Sequence, residues 1–264
     1  MDITASIVLY KNNAQYIKDL ISWFYNTQLN VKLYLIDNSP TPEIKSKLDL
    51  SKTEYIFNSK NIGFGAAHNI ILKNKEKLGT YHIIINPDII VKDNILEKLY
   101  LFMKENLDIG FLMPKINYPD GNIQFLPKNL PTPIDLFIRN TPFSKKIKDK
   151  INNKYELRTL DHNKSFSPQI ISGCFGVLRA ELINKYNLFY DERFFMYFED
   201  FDLSRRFKKV SKLLYYHDIE VIHEYERGAR KNIKLFFIFI LSMIKYFNKW
   251  GWIWDKERKN NIEI

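Results

Sequence analysis

The chain has 264 residues, 45% of them hydrophobic and 27% charged, with a net charge of +10. That is ample apolar material for one sizeable core, and it excludes a disordered, fibrous or collagen-like protein. The single cysteine, Cys174, excludes an intrachain disulfide, fits a reducing cytoplasm, and reads as a small buried hydrophobe.

Met1-Asp2-Ile3-Thr4 carries no basic leader pattern, so no secretory signal is expected. Ile3 to Tyr10 reads as a buried strand. Ile17, Leu20, Ile21 and Phe24 recur at helical spacing, which predicts a helix over Asn13 to Tyr25. Val31 to Ile36 is a second strand ending at Asp37-Asn38-Ser39-Pro40, and Tyr55 to Phe57 a short third. Gly63 and Gly65 punctuate a loop, and a helix is predicted from Ala66 to Leu78. Tyr81 to Ile85 is a fourth strand that stops at Asn86-Pro87-Asp88. Asn94 to Glu105 is predicted helical. Alternation of this kind predicts an α/β fold with a mostly parallel central sheet and helices on both faces. In such sheets ligands bind beyond the carboxyl ends of the strands, where Asp37-Asn38, Asn61 and Asn86-Pro87-Asp88 all fall.

The second half is less periodic. Pro119-Asp120-Gly121 reads as a hairpin turn. Residues 128–168 are rich in Lys, Asn and Pro and are expected to form a flexible loop. Ile170 to Leu178 reads as a strand, Ala180 to Lys185 as a short helix, and Glu199 to Val210 as another. Leu213 to Tyr216 and Glu220 to Ile222 read as short strands, the second ending at His223. The charge is regional: residues 227–259 hold nine Lys/Arg against two Asp/Glu, and 145–154 five Lys against one Asp. Such stretches ask for an anionic partner or surface. The longest apolar run, Leu235 to Ile244, is ten residues. A bilayer span needs about 20, so no crossing is expected.

Three constellations carry chemistry. Asp88, after Asn86-Pro87, is a strand-end carboxylate able to hold a hard divalent cation against a diphosphate; taken alone it reads more readily as a plain turn cap. Glu199-Asp200-Phe201-Asp202 follows five apolar or aromatic residues. An apolar setting raises a carboxylate pKa and suits a general base. Glu199 and Asp202 would share a helix face with Asp200 turned about 100° away. Asp202 also fits an ion pair with Arg205 or Arg206. His223 fits a metal or phosphate contact, or a structural hydrogen bond. The loop Asn61-Ile62-Gly63-Phe64-Gly65 opens a helix whose amides attract phosphate, and it is not a dinucleotide fingerprint.

The ordered set Asp37-Asn38, Asn61-x-Gly63-Phe64-Gly65-x-Ala67-x-Asn69, Asn86-Pro87-Asp88, Glu199-Asp200-x-Asp202-Leu203-x-x-Arg206 and His223 resembles family 2 glycosyltransferases. The likeness is closest to the bacterial rhamnosyltransferase-like branch that builds O-antigen and capsule, and it covers residues 3–225. It implies a GT-A fold and an inverting single displacement from a nucleotide-diphosphate sugar. It implies Asp37 at the nucleotide base beside the backbone of Val8 and Tyr10, with Asn61 and Gly63 lining the nucleotide pocket. It places Mg²⁺ or Mn²⁺ on Asp88, with Asn86 where the family's first acid stands, and His223 near the metal and diphosphate. Asp200 would be the base, with Glu199 beside it. Glu224-Tyr225-Glu226-Arg227 lack the serine that the resemblance leads one to expect.

Rival readings are weaker. A non-catalytic sugar-binding module would have lost Asp88 or the acidic pair. A nucleic-acid partner is not expected, because the basic stretches lie outside the site motifs. A nucleotidyltransferase would carry a Gly-rich basic loop after its first strand, where this chain has Tyr10-Lys11-Asn12-Asn13. The resemblance makes dTDP-rhamnose the leading donor, with UDP-hexoses open, and a lipid-linked saccharide the acceptor. Residues 1–225 are expected to form the transferase domain. Residues 226–264 are expected to form a basic, aromatic helical tail that docks on an anionic membrane surface from the cytoplasmic side, or else packs on the core.

Overall fold

A computed structural model describes residues 1–224 and 233–259. The buried apolar runs of the first half build four parallel strands, β1 (Ile3–Leu9), β2 (Val31–Asp37), β3 (Glu54–Phe57) and β4 (Tyr81–Ile85), with β1 in the middle of β3-β2-β1-β4. Between them run α1 (Ala14–Phe24) and α2 (Phe64–Leu72). Asn13 caps α1 through its side chain, accepting from the Gln15 N–H. α1 turns Ile17, Leu20 and Phe24 onto the sheet. The short β5 (Ile89–Ile90) and α3 (Leu96–Glu105) follow.

The sheet then becomes mixed. β6 (Ile109–Asn117), a run whose sequence pattern predicts no element, pairs antiparallel with β7 (Phe175–Arg179), and β7 pairs antiparallel with β4. β8 (Lys212–His223) lies parallel to β6, and β5 closes the edge antiparallel to β8. The two short strands expected over 213–222 are thus one strand, with a register shift opposite Pro114 and Lys115. The strand order is β3-β2-β1-β4-β7-β6-β8-β5. Its polarity brings the ends of β1, β2, β3, β4 and β8 and the start of β7 to one edge. Asp37, Asn86, Cys174 and His223 all end there.

Residues 128–168 are not the expected loop. They hold α4 (Pro133–Asn140) and α5 (Lys145–Tyr155). Thr132 and Asp135 form a reciprocal capping box around Pro133, a start signal present in the sequence. After β7 come α6 (Ala180–Tyr186) and α7 (Glu199–Lys208), and after β8 comes α8 (Ile233–Trp250).

The main core lies on both faces of the sheet. Inside it Ser6 bridges two buried imidazoles, His68 Nδ1 at 2.7 Å and His82 Nε2 at 2.8 Å. Burial holds both rings neutral, with His82 lowered to about 3. A second cluster joins Leu136, Tyr155, Phe194 and Phe198 to Tyr246 and Phe247 of α8. The segment 233–259 is therefore packed on the body of the protein. The boundary expected near residue 225 lies outside the described residues.

Candidate active site

At one side of the polar edge, an asparagine network organises the glycine loop. Asn38, 1% exposed, donates to Asn61 Oδ1 (3.3 Å) and to the Gly63 carbonyl (3.2 Å), and accepts from Asn58 (2.8 Å). Asn61 itself is exposed and accepts from the Gly63 N–H at 3.0 Å. Gly63 has φ +96°, and a Cβ there would lie 2.5 Å from the Phe195 carbonyl oxygen, so glycine is required twice over. That carbonyl accepts from the Phe64 N–H at 3.0 Å, which ties the loop to the segment leading into α7. Asp37 is wholly buried. Its carboxylate accepts from the Ser39 N–H at 2.8 Å and from the Tyr55 hydroxyl. Val8 is half-buried within β1, and Tyr10, just past its end, is exposed. Beside them a cavity of ≈ 280 Å³ is lined by Leu9, Lys11, Asn12, Ser39, Thr41 and Glu43 among others.

Opposite stands the acidic pair. Tyr197 and Phe198 have φ of +70° and +66°, a strained conformation for bulky residues, immediately before α7 begins at Glu199. Glu199 is 6% exposed, and its Oε2 has no hydrogen-bond partner among the described residues. Burial and the neighbouring Asp200 charge push its carboxyl well above the usual range. Asp200 accepts from the Gly173 N–H (3.3 Å) and the Phe201 N–H (2.9 Å). Burial raises its pKa too, opposed by the cation of Lys128 and those two amides. Burial thus raises both carboxyls, and at Asp200 a cation and two amides oppose that rise. Lys128 is positioned by a bridge to Ile170, three residues before Gly173. Its sequence neighbourhood gives no hint of this.

Asp202 is structural. It is fully buried and holds Arg206 (2.9 Å), Lys249 (2.5 Å) and the Trp250 indole N–H (2.9 Å).

Asp88 and His223 meet where β8 ends beside the start of β5. His223 Nε2 lies 3.3 Å from Asp88 Oδ1 and 3.5 Å from Asn86 Nδ2, and Asp88 Oδ1 makes no hydrogen bond among the described residues. Ile89 pairs with His223 and the Glu224 N–H donates to the Asp88 carbonyl at 3.0 Å, so backbone fixes the approach. A carboxylate oxygen and an imidazole nitrogen this close suit a divalent cation that takes mixed oxygen and nitrogen donors. No cluster of three or more His, Cys, Asp or Glu side chains able to hold a metal is gathered among the described residues. Oxygens from outside the protein, of water or of a bound ligand, would have to complete its shell. The two halves converge on Cys174. Its backbone carbonyl accepts from the Asn86 N–H at 2.7 Å, and the charges of Asp88, Lys128 and Asp200 all reach its thiol. Burial pushes that thiol up to about 12, so it is inert as a nucleophile.

The sequence profile of glycosyl transferase family 2 matches residues 6–186. The chain belongs to that family. Two solved structures share its fold. GalNAc-T7 with UDP, GalNAc and Mn²⁺ superposes with a TM-score of 0.59 at 18% identity, over 84% of this chain and 44% of that one. TarS of S. aureus superposes with a TM-score of 0.55 at 14% identity, over 94% of this chain and 40% of that one. The chain thus spans about two-fifths of the length of either structure. No curated protein sequence matches it. The fold is of the GT-A type expected for a family 2 glycosyltransferase. Asn61, Gly63 and Asp88 lie within the matched stretch, and Asp200 on α7 and His223 at the end of β8 lie beyond it.

Proposed function

We propose that this chain transfers a sugar from a nucleotide-diphosphate donor to a saccharide hydroxyl, with inversion at the anomeric carbon. One observation carries the reading. Asp200, with the Lys128 cation and two backbone amides to stabilise its carboxylate, and a metal-suited Asp88–His223 pair flank the same buried point, Cys174. Asp200 accepts the proton of the acceptor hydroxyl as that oxygen attacks the anomeric carbon. The bond from that carbon to the diphosphate breaks on the opposite side. Of the two acids, Asp200 is the one whose carboxylate a cation and the Gly173 and Phe201 amides stabilise, which makes it the acceptor of the incoming proton. Mg²⁺ or Mn²⁺ held by Asp88 and His223 would neutralise the departing diphosphate. The Asn61–Gly63 loop, with Val8 and Tyr10 nearby, borders the nucleotide. Asp37 shapes that wall through Ser39 and Tyr55, since its carboxylate is already engaged and buried.

The sequence resemblance favours dTDP-rhamnose as donor. The UDP bound to GalNAc-T7 makes a UDP-hexose the second candidate. A non-catalytic binding module is disfavoured by the intact acids. We also place the protein peripherally on the inner face of the cell membrane, acting on a lipid-linked saccharide in surface-polysaccharide synthesis. Residues 1–225 would form the transferase domain and 226–264 its docking tail. Two features support this: exposed Phe237 and Leu241 between Lys234 and Lys245, and exposed Ile134 and Phe137 on α4, which shares a cluster with α8.

The test is a panel of nucleotide sugars, scored for thermal protection and for transfer with Mn²⁺ present. One donor should raise the Tm, and Asp88→Ala should abolish both its transfer and its metal-dependent protection. Unchanged turnover in Asp88→Ala, or after EDTA, would overturn the metal assignment.

A further inference from the structure

Gln124 follows the turn at Tyr118–Asn122 and is 2% exposed. The family motifs say nothing about it. Its backbone N–H donates to the Ile116 carbonyl at 2.8 Å, which anchors it beside β6. Its side chain reaches 99 residues along the chain to His223. The carboxamide Nε2 lies 2.6 Å from the His223 carbonyl oxygen and 3.5 Å from that of Asn117. Both are acceptors only, so the amide nitrogen must face them. The other end of the carboxamide, Oε1, then faces His223 Nδ1 at 3.0 Å. An amide oxygen can only accept, so Nδ1 carries the hydrogen.

This chain of constraints decides what the far side of the ring presents. With its proton on Nδ1, neutral His223 has its Nε2 lone pair beside Asp88 Oδ1 at 3.3 Å. The opposite tautomer would place an N–H there, donate it to Asp88, and close the gap with a histidine–aspartate hydrogen bond. Asn86 Nδ2 sits on the same side of the ring at 3.5 Å, and as a donor it matches an Nε2 lone pair.

We propose that Gln124 is a positioning residue that holds His223 in its Nδ1–H form and so presents Nε2, together with Asp88 Oδ1, to a divalent cation. This rests on the metal reading given above. It assigns the outer partner that metal-binding histidines generally need, one that fixes both tautomer and ring plane.

Gln124→Met removes the acceptor at nearly constant volume. Gln124→Glu keeps an acceptor opposite Nδ1 and, with its other oxygen protonated against the two carbonyls, still donates to the His223 carbonyl, so it serves as the conservative rescue. The first measurement needs no variant. Ring ¹⁵N shifts of metal-free protein, labelled at its five histidines and taken at pH about 8.5, above the ordinary imidazole range, should show His223 protonated at Nδ1. His223→Asn supplies the assignment. Gln124→Met should move that ring toward Nε2–H, and Gln124→Glu should not. The second measurement is Mn²⁺ binding in the presence of UDP or dTDP, read by electron paramagnetic resonance. Gln124→Met should weaken it about 10–100-fold, the usual effect of losing such a partner, and Gln124→Glu should restore most of it. A wild-type His223 protonated at Nε2 overturns the proposal, as does a folded Gln124→Met with unchanged tautomer and Mn²⁺ affinity. Wild-type protein that shows Nδ1–H but takes up no Mn²⁺ with either nucleotide overturns the metal reading and supports the tautomer assignment alone.

Discussion

Glu199 and Asp200 are adjacent carboxylic acids given opposite tasks by their surroundings. Asp200 has two backbone amides and a lysine cation; Glu199 has an orphaned oxygen and a like charge beside it. Asp200→Asn should keep donor binding and lower kcat by about 10²–10⁴, the ordinary value of a positioned base. Equal loss of donor affinity would instead make Asp200 a binding residue. Lys128 is the lever on that base. Lys128→Met removes the charge opposing the desolvation of Asp200, so its pKa should rise. The acid limb of the kcat/KM profile then moves to higher pH, and a limb that stays put would remove Lys128 from the site. For Glu199 the consequence is in stability. Its pKa is raised in the folded state, so its protonated form contributes stability at low pH that is lost as pH rises toward the folded pKa. Glu199→Gln should therefore leave the Tm unchanged near pH 4 and raise it increasingly at neutral pH and above. A chain of this size gains about 2–4 °C per kcal/mol relieved. A variant that is destabilised at pH 8 would show that the buried acid holds structure.

At the scale of elements, the first half of the fold is legible because parallel strands buried on both faces read as unbroken apolar runs. Those runs stop where the chain meets the ligand edge, so Asp37-Asn38 and Asn86-Pro87-Asp88 mark both the strand ends and the site. The second half lacks that signature. β6 carries Pro114 and Lys115 within it, and β8 alternates buried and exposed positions through a register shift. α5 is lysine-rich, and its apolar positions Ile147, Ile151 and Tyr155 are too few to stand out. Lys128 and Gln124 are invisible in sequence for another reason. Their meaning comes from partners 72 and 99 residues away, brought near by strand order. α7 shows how such contacts hold the site. Its Arg205, with a side chain 2% exposed, pairs with Asp255 at 2.8 Å and Glu257 at 2.7 Å, and lies 4.0 Å from the Trp250 ring. Asp255→Ala strands a buried guanidinium on the helix that carries the acids. Breaking a buried pair costs about 3–5 kcal/mol. Urea unfolding should show a loss near the lower end, since Glu257 remains, with little change in slope. A loss below about 1 kcal/mol would mean that the 251–259 segment does not brace α7.

On the scale of the whole molecule, α8 faces two environments. Ser242, Tyr246 and Phe247 are buried against the body, and the Ser242 hydroxyl donates to the Met196 carbonyl at 2.8 Å, two residues before the strained Phe198. On the opposite side Phe237, Leu241 and Ile244 stay exposed, flanked by Lys234 and Lys245, while Ile253 and Trp254 project beyond the helix. Packing on the core and docking on a lipid surface are therefore compatible. They also change the proper experiment. Removing everything after residue 225 would uncover Phe194 and Phe198 and strand Arg205, so unfolding would hide any loss of docking. No helix among the described residues is long and apolar enough to cross a bilayer, and a helix lying in the interface needs only its outer face. Replacing Phe237, Leu241 and Ile244 together by serine should leave Tm and soluble-acceptor turnover near wild type. If each side chain gives up about 1 kcal/mol or more of burial in lipid, vesicle partitioning should fall roughly 100-fold. Each lysine contributes about 1 kcal/mol at an anionic leaflet. Wild-type flotation with phosphatidylserine vesicles should accordingly weaken at 1 M salt, where the screening length is about 3 Å. Wild-type protein that ignores these vesicles at low salt, or a serine variant that floats as well as wild type, would confine α8 to its packing role.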